Sequence, residues 1–183
     1  FAATFVTVAG VGAVLLTNRS RLSGDAEARS ADRWRLIRRG LLLLAFGYTL
    51  DWIWNGTILF FYGAFFMAAG LVYTLRIRWL ALIGFTSVLA AYAIRVWLLH
   101  LDWTAGDSSW WYTTAAERSY KGLLLDVFVN DTHPLFPWLA FFCTGMIIGR
   151  LVPVLDRYRW HLVGTGLVAL AAGYALSAAL RLT

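Results

Sequence analysis

The sequence predicts an all-α membrane protein: a polytopic transmembrane helix bundle with about six spans and one outer interfacial helix. Three observations carry that prediction. Only 14% of the 183 residues are charged and 60% are hydrophobic, where a soluble domain carries roughly a quarter charged. The apolar residues form continuous runs near the length of a membrane span, about 20 residues, and not the ten-residue alternating segments of a barrel. Ten tryptophans and eight tyrosines suit the amphipathic rings that settle at membrane–water boundaries.

The stretch from Asn18 to Arg39 sets the orientation. It holds Arg19, Arg21, Arg29, Arg33, Arg35, Arg38 and Arg39 against Asp25, Glu27 and Asp32, with apolar runs on both sides. Arginine-dense loops between hydrophobic spans stay cytoplasmic. The first span is residues 1–17. The second, residues 40–54, turns at Asn55-Gly56-Thr57 into the third, residues 58–75. Arg76 and Arg78 mark the next inner turn, and the fourth span is residues 79–100. A long outer segment, residues 101–133, follows. The fifth span, residues 134–150, returns to an inner loop with Arg150, Arg157 and Arg159, and the sixth is residues 161–180.

This alternation leaves twelve of the sixteen basic residues inside. Asp51, Asp102, Asp107, Glu117, Asp126 and Asp131 fall outside. The net charge of +6 is thus explained by orientation, and nucleic acid is not an expected partner. With a single lysine among those basic residues, the composition points to a GC-rich bacterial genome and an inner (plasma) membrane location. The lone Cys143 excludes an internal disulfide. The chain starts with Phe inside a span already under way, so residues 1–183 are expected to form a single domain truncated at its N-terminus. In the outer segment, residues 113–129 mix Glu117, Arg118, Lys121 and Asp126 with Tyr120, Leu123, Leu124, Val127 and Phe128. They read as the interfacial helix, anchored by Trp103, Trp110 and Trp111.

Small residues predict where helices touch, because close backbone approach drives association in lipid. Gly145 and Gly149 form a GxxxG pair in the fifth span, and Gly166, Ala169, Gly173 and Ser177 line one face of the sixth. In the fourth, Gly84, Ser87, Ala91 and Arg95 share helical spacing, so Arg95 is expected to point into the bundle. Gly164-Thr165-Gly166-Leu167-Val168-Ala169 matches a GxGxxA pattern. It lies within a span, without the preceding strand of a dinucleotide loop, and is read as helix packing.

Candidate functional residues gather on the outer side. An unpaired charge within a span is unfavourable, so Asp51 and Arg95 should face a partner or a wet cavity. They form either a structural pair or part of a substrate site. With His100, Asp131 and His133 they make the acceptor-side candidates. His100, His133 and His161 show no metal-ligand spacing, and no metal is expected. Arg38 and Arg39 are the inner candidates. The pattern suits an enzyme passing a group from a cytosolic anionic donor to an outer acceptor. It equally suits a non-catalytic membrane subunit of a larger complex, or a small transporter. Lipid, a second copy of the chain and other subunits are the possible partners.

The order of features resembles a known family. The residues are Phe5-Val6, Val8 through Ala13, Arg38-Arg39-Gly40-Leu41-Leu42-Leu43 and Ile58-Leu59-Phe60-Phe61-Tyr62-Gly63. The most specific piece is the run from His133-Pro134-Leu135-Phe136-Pro137-Trp138 to Gly145-Met146-Ile147-Ile148-Gly149-Arg150. Together they are similar to the transmembrane acyltransferase superfamily that includes heparan-α-glucosaminide N-acetyltransferase and bacterial relatives. The resemblance implies an acyl-CoA donor loaded from the cytosol and a glycan acceptor on the far side. It also implies that the family's catalytic histidine precedes the span that opens this sequence, so the residues here inherit positioning roles. Arg38 and Arg39 could then meet the donor's phosphates, Arg95 an oxyanion or anionic group, and Asp51 or His133 the acceptor.

Overall fold

The computed structural model describes residues 2–51, 53, 58–105, 125, 127–128 and 134–181. It is all helical among them. Six α-helices follow in order: α1 Ala2–Ser23, α2 Ala26–Asp51, α3 Leu59–Val72, α4 Ile77–Ala105, α5 Leu135–Leu151 and α6 Leu155–Arg181, with a short 3-10 turn at Val152–Val154 before the last. Three apolar stretches are long enough to cross a membrane, Ala2–Ser23, Ile77–Thr104 and Leu135–Val154, and α3 is a shorter apolar helix. The interfacial helix over 113–129 lies outside the described residues, apart from Leu125, Val127 and Phe128.

The arginine-rich stretch is helix where a loop was expected. α1 and α2 are separated by Gly24 and Asp25 alone. Gly24 has φ +74°, the left-handed conformation that glycine adopts without a Cβ penalty just past a helix end. The Asp25 carboxylate accepts the Glu27 N–H at 2.9 Å and so satisfies one of the free donors that open α2. Arginine is a good helix former, so the charges extend the helices beyond the apolar core instead of unwinding them.

The chain forms two compact units, Phe1–Arg150 and Leu151–Thr183. In the first, α2 and α3 make the most extensive helix pairing. Its seam is built on glycine: a Cβ on Gly40 would stand 2.7 Å from the Gly63 carbonyl oxygen, and one on Gly63 2.6 Å from that of Gly40. α1 and α5 cross as closely. A Cβ on Gly145 would collide with the Thr7 carbonyl oxygen, one on Gly10 with that of Phe142, and one on Gly149 would reach within 3.1 Å of Val11. The expected GxxxG contact is thus an α1–α5 crossing. Val6, Val14, Phe65, Phe142 and Met146 fill the core, with the rings of Phe65 and Phe142 stacked at 5.6 Å.

Two details differ from the sequence pattern. The first residues of α5 are not regular helix: Phe136 has φ −96° and ψ 122°, because the residue before a proline is pushed out of the helical region. Pro137 then opens the regular part, a position where its missing N–H costs nothing. The second concerns α4. Its buried positions are Leu80, Gly84, Ser87 and Leu98, and Ala91 and Ile94, half-buried like Ile83, Ala90 and Leu101, continue their line. That is an alternation of four and three, the 3.5-residue repeat of a packed helix seam. The line leaves Ala91 for Ile94 and Leu98, so Arg95 lies beside the seam and is exposed, contrary to the inward direction expected. The second unit is α6 with its 3-10 turn; the small-residue face of Gly166, Ala169, Gly173 and Ser177 has no second helix within that unit.

Candidate functional site

The C-terminal ends of α1, α3 and α5 and the start of α2 meet at one end of the first unit, through side chains that bridge helices. The buried Tyr73, just past α3, donates its hydroxyl hydrogen bond to the Arg29 carbonyl in the first turns of α2. Ser20 of α1 lies beside that hydroxyl. Arg150, in the last turn of α5, donates one Nη to the Leu75 carbonyl and the other to the Tyr73 carbonyl, the latter at 2.7 Å. Carbonyls at a helix C-terminus lack intrahelical partners, and the partial negative charge there favours a cation. The guanidinium fork therefore closes α3 and its turn into α4.

Polar groups continue along α1 and α2. Thr17, Ser20 and Asp32 are buried. Thr17 and Ser20 are satisfied by donating to the Ala13 and Thr17 carbonyls, at 2.9 and 3.0 Å. Asp32 pairs with Arg35 at 2.9 Å, the arginine largely in solvent; such a pair contributes about 1 kcal/mol or less. Leu16, Thr17, Asp32, Arg35, Leu36 and Arg39 enclose a pocket of about 190 Å³ between α1 and α2. It carries two guanidiniums over an apolar floor. Pockets that enclose a whole small ligand run roughly 300–1,000 Å³, so this one has room for a single group, of the size of a phosphate.

Of the two inner candidates, Arg39 lines that pocket and Arg38 is exposed on α2. The outer candidates belong to the opposite ends of the helices. Asp51 closes α2 half-buried, while Arg95 and His100 are exposed on the C-terminal half of α4. Asp131 and His133 lie outside the described residues. Among the described residues no three metal-ligating side chains come together. Sequence reasoning did not single out Tyr73 or Arg150 as groups that bridge helices, nor Arg35 as one that lines the pocket. Arg21 and Arg150 carried a local signal, a cation in the last turn of a helix.

A bundle of long apolar helices, capped at one end by an arginine-built polar layer, defines the class: a polytopic helical membrane protein. Over residues 1–172 the chain matches the family model described as heparan-alpha-glucosaminide N-acetyltransferase, catalytic. It belongs to that family, and with it to the membrane transferases. No curated protein and no solved structure matches it.

Proposed function

We propose that the protein moves an acyl group, acetyl in the first instance, from cytosolic acyl-CoA to a glycan acceptor on the outer face of the plasma membrane. The family match over residues 1–172 carries this reading. The layout supports it. Arginines crowd the end where α1, α2, α3 and α5 converge, as a polyanionic donor requires, and the cytoplasmic assignment of residues 18–39 follows from the charge rule. In this reading Arg39 and Arg35 receive a donor phosphate in the pocket between α1 and α2. Arg38, exposed beside them, attracts the rest of the nucleotide.

At the other end, transfer needs a base near the acceptor and a positive group at the developing oxyanion. Arg95 is assigned the oxyanion or an anionic acceptor group. Asp51, His100, Asp131 and His133 are assigned to acceptor positioning. Titrating acetyl-CoA against the detergent-purified protein tests the donor half. Arg39→Gln removes one partly hydrated phosphate contact of about 1 kcal/mol, well below the 1.5–3 of a buried one, so the Kd should rise about fivefold. Arg76→Gln, in the α3–α4 turn outside the pocket, should leave it unchanged. Equal affinity in wild type and Arg39→Gln would remove the donor assignment.

A further inference from the structure

Arg21 and Arg150 occupy the last turns of α1 and α5. α1 and α5 run side by side, with Gly145 against Thr7 and Gly149 against Val11 and Val14, so both arginines lie toward the same end of that helix pair, and both are half-buried. Neither makes an ion pair with a described carboxylate. Arg21 donates from Nη2 to the neutral Asn18 Oδ1 at 2.7 Å, Arg150 donates to two backbone carbonyls, and the ion pair of this region joins Arg35 to Asp32. The Nε–H of each arginine is buried and, among the described residues, has no acceptor. A buried donor without a partner is destabilising, the more so when charged. Two such donors on like charges at the same end of one helix pair mark a place where a ligand completes the site. The helix ends offset part of the charge but present no oxygen to either Nε–H.

We propose that Arg21 and Arg150 form a binding site for a phosphate-class oxyanion. A tetrahedral group with several oxygens can accept from both guanidiniums at once, and its charge turns their repulsion into attraction; the guanidinium fork matches that geometry. Both arginines lie at the ends of stretches long and apolar enough to cross a membrane, the depth at which lipid phosphates lie. The phosphate therefore comes from an anionic lipid headgroup or from a soluble phosphate compound. The site is separate from the pocket lined by Arg35 and Arg39 and does not depend on the acyl-donor reading.

Thermal unfolding of the detergent-purified protein distinguishes the sources. One arm titrates sodium pyrophosphate at constant ionic strength; the other adds dioleoylphosphatidylglycerol to the micelles, with dioleoylphosphatidylcholine as the neutral control. A rise in Tm with pyrophosphate assigns the site to soluble phosphate, and a rise specific to phosphatidylglycerol assigns it to lipid. Either supports the proposal if Arg21→Gln weakens the apparent affinity at least tenfold. Without any probe, Arg21→Gln should melt at or above the wild-type temperature, since the repulsion has gone. If that variant does not fold, Arg21→Lys keeps the charge but loses the fork and should bind severalfold more weakly. No response to either probe, a variant that responds like wild type, or an Arg21→Gln that melts lower without probe would overturn the proposal.

Discussion

Gly10→Ala and Gly12→Ala add the same methyl group to the same helix, two residues apart, and should move stability in opposite directions. At Gly12 the new Cβ meets nothing within 4 Å. The substitution then keeps only the helix preference of alanine over glycine, about 0.5–1 kcal/mol. At Gly10 the Cβ would fall on the Phe142 carbonyl oxygen, with the Met146 nitrogen 3.0 Å and the Phe142 carbonyl carbon 3.1 Å away. All three are backbone atoms of α5, so no side chain can rotate clear and the two helices must separate. A gap of about 0.5–1 Å forfeits a quarter to a half of each contact across the seam, where Val6, Val14, Phe142 and Met146 are fully buried. Overpacking of this kind costs about 1–3 kcal/mol, which leaves a net loss of up to about 2.5 kcal/mol after the helix preference. Gly145→Ala opens the same seam from the other side, against Thr7. The double variant should therefore lose at least about 0.5 kcal/mol less than the two singles together. Unfolding in mixed micelles at increasing dodecyl sulfate, followed by far-ultraviolet circular dichroism, reads these differences directly. Equal midpoints for Gly10→Ala and Gly12→Ala would refute the α1–α5 crossing.

Three further outcomes are expected. Arg150→Met removes both bonds that close α3 and should cost about 2 kcal/mol, less than two buried charge-assisted bonds because Arg150 is half-exposed and its repulsion with Arg21 is relieved. Tyr73→Phe removes the link to α2 and should cost about 1 kcal/mol; the same micelle assay checks both, and a smaller loss for Arg150→Met than for Tyr73→Phe would contradict the clamp. Orientation is read by an impermeant maleimide in a Cys143→Ala background, where Gly24→Cys should label only after lysis and Gly106→Cys in intact cells. Reversed labelling would invert every face assignment.

The all-α membrane class was legible because long apolar runs with so little charge between them are stable only in lipid, and Gly145 with Gly149 correctly marked a helix crossing. The two-residue turn between α1 and α2 was written in Ser23-Gly24-Asp25 with Glu27, but seven arginines masked it: charge density reads as loop, while arginine itself favours helix. The direction of Arg95 failed on a small difference in period. Gly84, Ser87 and Ala91 fit a 3.6-residue face and a 3.5-residue seam equally well, and the two diverge only at Ile94 and Leu98. The polar layer built by Tyr73, Arg29 and Arg150 was not legible at all. Its bonds join residues 44 and 77 positions apart, and such pairings leave no local pattern. Arg39 was singled out for its charge; its place in a pocket with Arg35 and Asp32 needed the packing of α1 on α2.

The central claim, acyl transfer from one face to the other, is tested most directly in sealed inside-out vesicles containing the full-length protein. Radiolabelled acetyl-CoA is supplied outside, and an oligosaccharide ending in glucosamine is trapped within. The account predicts labelled N-acetylglucosamine product in the lumen, dependent on the protein and absent when the acceptor is supplied only outside. Folded protein that gives no lumenal product, or that acetylates only acceptor on the donor's side, would contradict it.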